Sequence, residues 1–312
     1  MGVAPEVSVV VPTHDRRELL GRTVGTVLGQ RSVEVEVIVI DDGSSDGTGE
    51  AVAGLRDPRV RYFKNESASG VARARNRGVE EARGKWVAFI DDDDLWAPDK
   101  LSEQLAAARR DNRPWAYAGA VKIDGNDRLV GGRPPPQPEW VERRLPSWNA
   151  VPGGCSGVIA TRTLLEGVGG FDPTLVNLAD WDLWIRFVRE APPACAPRPL
   201  VGYRWHAGNA SLDTQLILRE GRVIEARYGV PLDWGAIHHY LAHLNVRSGN
   251  RRGALRHFMW AFVRGERSSA RDVAWLIRRR TRGMRAAEEV RAEPSIIEWR
   301  AQAQAWLGAA PL

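Results

Sequence analysis

The N-terminal part of the chain alternates short apolar runs with amphipathic stretches. Val7-Ser8-Val9-Val10-Val11 is a β-branched run closed by Pro12, which predicts a strand. Leu19, Leu20, Thr23, Val24, Val27 and Leu28 then recur at the 3.6-residue spacing of an amphipathic helix. Residues 35–40 predict a second strand, which runs into the turn-rich Asp41-Asp42-Gly43-Ser44-Ser45-Asp46-Gly47 and a helix over 48–55. A short strand at 60–63 follows, then a helix over 71–83 with Gly84 as its C-terminal cap. A strand at 86–90 and a helix at 98–110 complete the series. Such alternation with short connections predicts an α/β fold built on a doubly wound, mostly parallel sheet.

The pattern changes after residue 115. Residues 115–123 alternate as an antiparallel strand would, with a Gly125-Asn126 turn. Residues 131–152 hold six prolines together with Trp140 and Trp148. They read as a long irregular segment, either a lid or acceptor-binding loop or a surface insertion. Strands at 156–161 and 200–205 flank a helix at 180–190. From Asp233 onward helical spacing dominates, carried by Leu241, Leu244, Leu255, Phe258, Phe262, Val273, Leu276 and Ile277, then by Ile296, Trp299, Ala303 and Trp306. The chain therefore divides into an α/β domain over 1–215 and a helical, basic region over 216–312.

Four consecutive acids, Asp91 to Asp94, follow the buried-strand run ending at Ile90. They fall at the carboxyl end of that strand, where open α/β sheets place their ligands. Carboxylates crowded there repel one another unless a cation holds them. An oxygen-only donor set suits Mg²⁺ or Mn²⁺, which also take phosphate oxygens from a nucleotide. Right-handed crossovers bring the ends of the strands at 7–11, 35–40 and 86–90 to one edge, so Asp15, Asp42 and Asp93 should share it. Neither a dinucleotide fingerprint nor a Walker loop is present, because the turn Pro12-Thr13-His14-Asp15 has no glycine and the later glycines have the wrong spacing. Phosphates must then be held by metal and basic side chains.

Composition narrows the class further. The chain has 312 residues, 43% hydrophobic and 27% charged, enough for a large core. No apolar run reaches the 18 or more residues of a membrane span, and no signal-peptide pattern is visible, so a cytoplasmic enzyme is the expectation. Cys155 and Cys195 are too few for a disulfide framework. The net charge of +5 is uneven: residues 247–291 carry thirteen arginines against four acids. That segment could lie on an anionic membrane surface, or present a solvated face on helices that pack within the protein or against a second subunit. Trp260, Trp275 and Trp299 read as core, which favours packing. Nucleic acid is not expected, since no recognised binding module is present.

Five motifs in order resemble the family 2 glycosyltransferases: residues 9–16 (Val-Val-Val-Pro-Thr-His-Asp-Arg), 40–48, Ala74-Arg75-Asn76, 84–94, and Asp180-Trp181-Asp182-Leu183-Trp184. The resemblance spans about residues 7–206 and implies a GT-A fold, a nucleotide-sugar donor, inversion and a divalent metal. It implies that Pro12, Thr13, His14 and Asp15 pack on the nucleobase, with His14 in an aromatic's place and Asp15 in that of the usual Asn. Asp42 would accept from the ring N–H of a uracil or thymine, favouring a UDP- or dTDP-sugar. Arg75 would contact phosphate, or else be a solvated helix arginine. Asp91 and Asp93 match the Asp-x-Asp pattern, with Asp93 the direct metal ligand, Asp92 a ribose contact and Asp94 a cap of the next helix. His206 would reach the metal or diphosphate. Asp180 matches the catalytic base, although the acid usual before it is Ala179 here, so like-charge repulsion should raise its pKa less. Asp182 would cap or pair instead. The acceptor is left open: a saccharide, a lipid-linked molecule, a peptide or a small molecule. A sugar nucleotidyltransferase and a non-catalytic binding protein are the rival readings; the first turn lacks the glycine-rich, basic form of the former.

Overall fold

The structure is a computed structural model and describes residues 4–205, 213–270, 272–273 and 294–308, apart from the side chain of Arg247. His206, Trp275, Leu276 and Ile277 lie outside the described residues. The described chain forms two compact units, one of residues 4–143, 150–205 and 294–308, the other of 144–149, 213–270 and 272–273.

The first unit is built on a nine-stranded sheet. Strands β1 (Val7–Thr13), β2 (Val35–Asp41), β3 (Val60–Lys64) and β4 (Trp86–Phe89) pair in parallel in the order β3-β2-β1-β4. Every residue of β1, β2 and β4 is buried, as near-continuous apolar strands covered on both faces must be. β1 runs through Pro12 to Thr13 rather than stopping before it. The carbonyl of Val10 accepts from Ile90 N, and Pro12 faces the same side beyond the end of β4, so its missing N–H leaves no ladder bond unmade. Helices α1 (Arg17–Leu28), α2 (Thr48–Gly54) and α3 (Val71–Glu81) provide the crossovers, and α4 (Lys100–Arg110) leads on from this parallel set.

The sheet continues with mixed directions. The two-residue β5 (Leu95–Trp96) comes first in the chain, then β6 (Trp115–Ile123) and β7 (Leu129–Gly132), which form the expected antiparallel pair. α5 (Pro138–Arg144) gives the proline-rich segment some regular structure, and Tyr117 Oη donates to the Pro136 carbonyl. β8 (Val158–Thr161) runs antiparallel to β4 and β6, and β9 (Ala194–Arg204) parallel to β6. Between them lie α6 (Arg162–Gly167) and α7 (Ala179–Glu190).

Further details differ from what the sequence predicts. Gly84 is not the cap of α3, which ends at Glu81 with extended Ala82 after it. Its role is close approach: a Cβ there would stand 2.7 Å from Ser8 N. The C-terminal helices also do not form one region. The last described helix, Pro294–Leu307, buries Trp299, Ala303 and Trp306 in the core of the sheet unit. The indole N–H groups of Trp299 and Trp306 donate to the carbonyls of Pro197 (2.8 Å) and Pro199 (2.7 Å) on β9. Apolar spacing marked this helix but could not say which surface it covers.

The second unit is helical: α8 (Thr214–Tyr228), α9 (Trp234–Arg247) and α10 (Arg251–Val263), with the final helix numbered α11. Asp213, Asp233 and Asn250 cap α8, α9 and α10 by accepting from first-turn N–H groups. Leu241, Leu244 and Phe258 are buried as their spacing implied, but Phe262 and Trp260 are not; Trp260 is 47% exposed.

Candidate active site

Parallel pairing puts the carboxyl ends of β1, β2 and β4 on one edge, and the turns beyond them bond to one another. Asp15, in a left-handed conformation (φ 52°), donates its N–H to Ser44 Oγ, and its carboxylate accepts from Ser45 N at 2.7 Å. His14 Nδ1 lies 2.9 Å from the Asp42 carbonyl oxygen, with the ring half exposed. Pro12 and Thr13 are buried, and Thr13 Oγ1 donates to Asp92 Oδ2 at 2.7 Å. The four residues of the first turn therefore split into a buried pair, of which Thr13 holds the acidic run, and an exposed pair that bonds to the turn after β2.

Asp42 is engaged within the chain. Its carboxylate accepts from Asn65 Nδ2 (2.6 Å), from the N–H and hydroxyl of Ser69, and from Gly70 N (2.8 Å). Burial works to raise its pKa, but these donors outweigh it and hold the group below the usual carboxylate range. Contact with a nucleobase would have to replace some of these bonds.

The acidic run is held by cations that the sequence did not place beside it. Arg75 is buried, not solvated, and Nη2 donates to Asp91 Oδ1 at 2.6 Å. Arg16 Nη1 donates to Asp93 Oδ2 at 2.5 Å and lies 3.5 Å from Asp92 Oδ1. The argument that four such acids require a metal is therefore corrected: guanidinium groups meet part of the need. Asp94 does not cap the next helix, since β5 intervenes. It is fully buried, and accepts from Ser156 Oγ (2.6 Å) and Arg204 N (2.7 Å), joining β4 to β9. Burial, with its acidic neighbours, raises the pKa of Asp92 to about 7 and that of Asp94 well above the usual range. Arg16 directly follows the first turn, and a basic residue there, across the edge from an acidic run, was the available signal.

Asp180 sits in the first turn of α7, where its Oδ1 accepts from Trp181 N at 2.6 Å. Enclosure raises its pKa to about 6; the Arg75 charge opposes that rise and Asp91 adds to it. The missing acid at Ala179 is thus replaced by burial as the cause of a raised pKa. Cys155, buried among Arg75, Asp91 and Asp180, is held as the neutral thiol chiefly by burial. Gly154 borders the base: a Cβ there would stand 3.5 Å from Asp180 Oδ2. Asp182 is fully buried and pairs with Arg186 one turn on at 2.7 Å, as expected of the residue that faces away. The structure thus brings Pro12 to Asp15, Asp42, Arg75 and Asp91 to Asp93 to one edge and links Asp180 to it through Arg75.

Known proteins are similar to this chain in sequence and in fold. The model of glycosyl transferase family 2 matches residues 8–162. The chain is 32% identical over 184 residues to a UDP-Glc:alpha-D-GlcNAc-diphosphoundecaprenol beta-1,3-glucosyltransferase, WfgD of Escherichia coli, covering 59% of this chain and 70% of that protein. It is 39% identical over 224 residues to the succinoglycan biosynthesis protein ExoO of Rhizobium meliloti (strain 1021), covering 69% of this chain and 64% of that one. In structure it is similar to S. aureus TarS 1-349 in complex with UDP, with a TM-score of 0.56 at 18% identity, over 97% of this chain and 92% of that one. The motifs, the GT-A sheet and the extent of these similarities agree, and the chain belongs to glycosyl transferase family 2.

Proposed function

We propose that this glycosyltransferase moves a sugar from a UDP-sugar to a hydroxyl of a lipid-linked saccharide, with inversion and with Asp180 as general base. The observation that carries the reading is the shared guanidinium of Arg75. It pairs with Asp91 of the acidic run while its charge acts on Asp180, so one side chain spans the donor end and the base end of a single site. A UDP-sugar is supported by the donor in the WfgD name and by the UDP complex of TarS, and a lipid-linked acceptor by the diphosphoundecaprenol in the WfgD name.

Asp180 takes the acceptor hydroxyl's proton as the oxygen attacks the anomeric carbon. A carboxylate with a pKa of about 6 is ionised at neutral pH yet basic enough to help. Displacement on the face opposite the leaving diphosphate inverts the configuration, and no covalent intermediate is needed. Arg75 holds Asp91, and Thr13 and Arg16 hold Asp92, which would contact the ribose hydroxyls. Oxygen-only donors fit a hard divalent cation: Asp91 is part exposed, and the Arg16 side chain paired with Asp93 is itself 30% exposed. Asp93 and Asp91 would hold Mg²⁺ or Mn²⁺, which supplies Lewis-acid neutralisation of the leaving diphosphate. His14 would stack on the base, with Asp42 beside it.

The acceptor reading also draws on α10. Met259, Trp260, Phe262 and Val263 are exposed, and Arg251, Arg252, Arg256 and Arg264 are exposed with them. Apolar and aromatic residues among arginines suit an anionic membrane surface. Among the described residues no helix is long and apolar enough to cross a membrane. The first test is hydrolysis and transfer with a panel of UDP-, dTDP- and GDP-sugars, each with Mn²⁺ and with EDTA. UDP-sugars should be favoured and EDTA should abolish turnover; preference for a GDP-sugar, or full activity in EDTA, overturns the donor or the metal part. Asp42→Ala should flatten the base preference.

A further inference from the structure

The helical unit carries a group of side chains that the transfer reaction does not use. His239 and His243 stand one turn apart on α9, and Asp272 lies beyond the end of α10. One ligand atom from each falls within 4.8 Å of the others. His239 Nε2 is 2.9 Å from His243 Nε2 and 3.6 Å from Asp272 Oδ2. Ligands about 2.05 Å from a tetrahedral zinc ion stand roughly 3.3 Å apart, and the two distances straddle that value.

The surroundings are those of a prepared site. His239 Nδ1 lies 2.9 Å from Ser269 Oγ, and Ser269 is fully buried. An N–H at Nδ1 donating to that hydroxyl leaves the Nε2 lone pair directed at His243 and Asp272, the tautomer a metal requires. Phe258, itself buried, meets both imidazoles edge-on, at centroid distances of 5.7 Å and 5.2 Å. Two imidazoles and one carboxylate are the chemistry of zinc rather than of magnesium. The apolar cluster around the site is small, Ala242, Ala254 and Phe258, with Val246, Leu255 and Val273 against it. A metal joining α9 to the chain after α10 would staple a unit of that size.

We infer that His239, His243 and Asp272 form a three-ligand zinc site that ties the segment after α10 to α9, leaving a fourth position for water or another ligand. It is independent of the acidic run, whose donors are all oxygen. The nearby pair His238 and His257, with Nδ1 atoms 2.9 Å apart, is the internal control.

The test uses the full chain stripped with EDTA. Zn²⁺ titration by calorimetry and metal analysis should give one tightly held ion per chain and a Zn²⁺-dependent rise in Tm. Co²⁺ in its place should give the visible bands of a nitrogen-ligated, four-coordinate ion. His239→Ala and His243→Ala should lose the bands and weaken zinc binding at least a hundredfold, with the circular dichroism unchanged. Asp272→Asn, at a part-exposed position, should weaken it about tenfold or more and cannot act by emptying the core. Asp93→Asn, His238→Ala and His257→Ala should keep the site. Absence of the Co²⁺ bands in the unmodified chain, their survival in His243→Ala, or loss that follows His238 or Asp93 instead, each overturns the assignment.

Discussion

Asp180 gains its proton affinity chiefly from enclosure, with the Arg75 charge restraining it, so its effect should be visible in the pH profile. A base must be deprotonated, and kcat/KM should therefore fall as the pH drops through about 6. Asp180→Asn keeps the size but cannot take the proton. Turnover should drop on the order of 10²–10⁴-fold, with donor affinity little changed, and the acid limb should vanish. Asp182→Asn should be milder in turnover, because that residue pairs with Arg186 away from the reacting atoms. If Asp180→Asn turns over normally and Asp182→Asn is dead, the base is the wrong residue. Arg16 permits a second test at this scale. Removing it as Arg16→Gln leaves Asp92 and Asp93 crowded without their cation, and should cost about 1–3 kcal/mol of stability in EDTA. Mn²⁺ should restore much of that loss in a thermal melt, because the metal would take the vacated place; equal losses with and without Mn²⁺ would count against metal at Asp93.

At the scale of elements, the site depends on how closely α3 lies on β1. Gly78 makes that approach possible: a Cβ there would stand 2.2 Å from Val10 Cγ1, in the middle of the sheet. Gly78→Ala must push α3 outward, and Arg75, three residues earlier on the same helix, moves with it away from Asp91. We expect a loss of about 1–3 kcal/mol in chemical denaturation and a fall in turnover larger than the stability change explains. A stable, fully active Gly78→Ala would mean that the Arg75–Asp91 pair does not position the site. The segment at 65–70 depends on Asp42 in the same way, since three of its residues donate to one carboxylate.

At the scale of the molecule, the basic region separates into parts with different fates. α11 joins the sheet unit through Trp299 and Trp306, while α10 leaves Trp260 and Phe262 exposed beside arginines. The full chain should therefore co-sediment with vesicles containing anionic lipid and stay in solution with neutral ones. Trp260→Ala with Phe262→Ala should weaken that binding about tenfold or more without changing hydrolysis of a UDP-sugar in solution. Equal binding by the double variant would place the membrane contact elsewhere.

Sequence alone determined the local matters: where β1 to β4 and the helices after them fall, that the sheet begins parallel, and which acids reach its edge. These are legible because a strand buried on both faces needs a continuous apolar run and a helix needs apolar residues every third or fourth position. The Asp-rich turn and the Asp180 motif were legible because each is short and contiguous. Pairing across distance was not. That Arg16 and Arg75 hold the acidic run, that Asp94 joins β4 to β9, that Gly84 makes room for Ser8, and that His239 and His243 meet Asp272 all depend on residues far apart in the chain. Charge and periodicity state what a side chain needs, a counter-charge or a dry surface. Only the folded chain decides which partner, of many with the same chemistry, stands close enough to provide it.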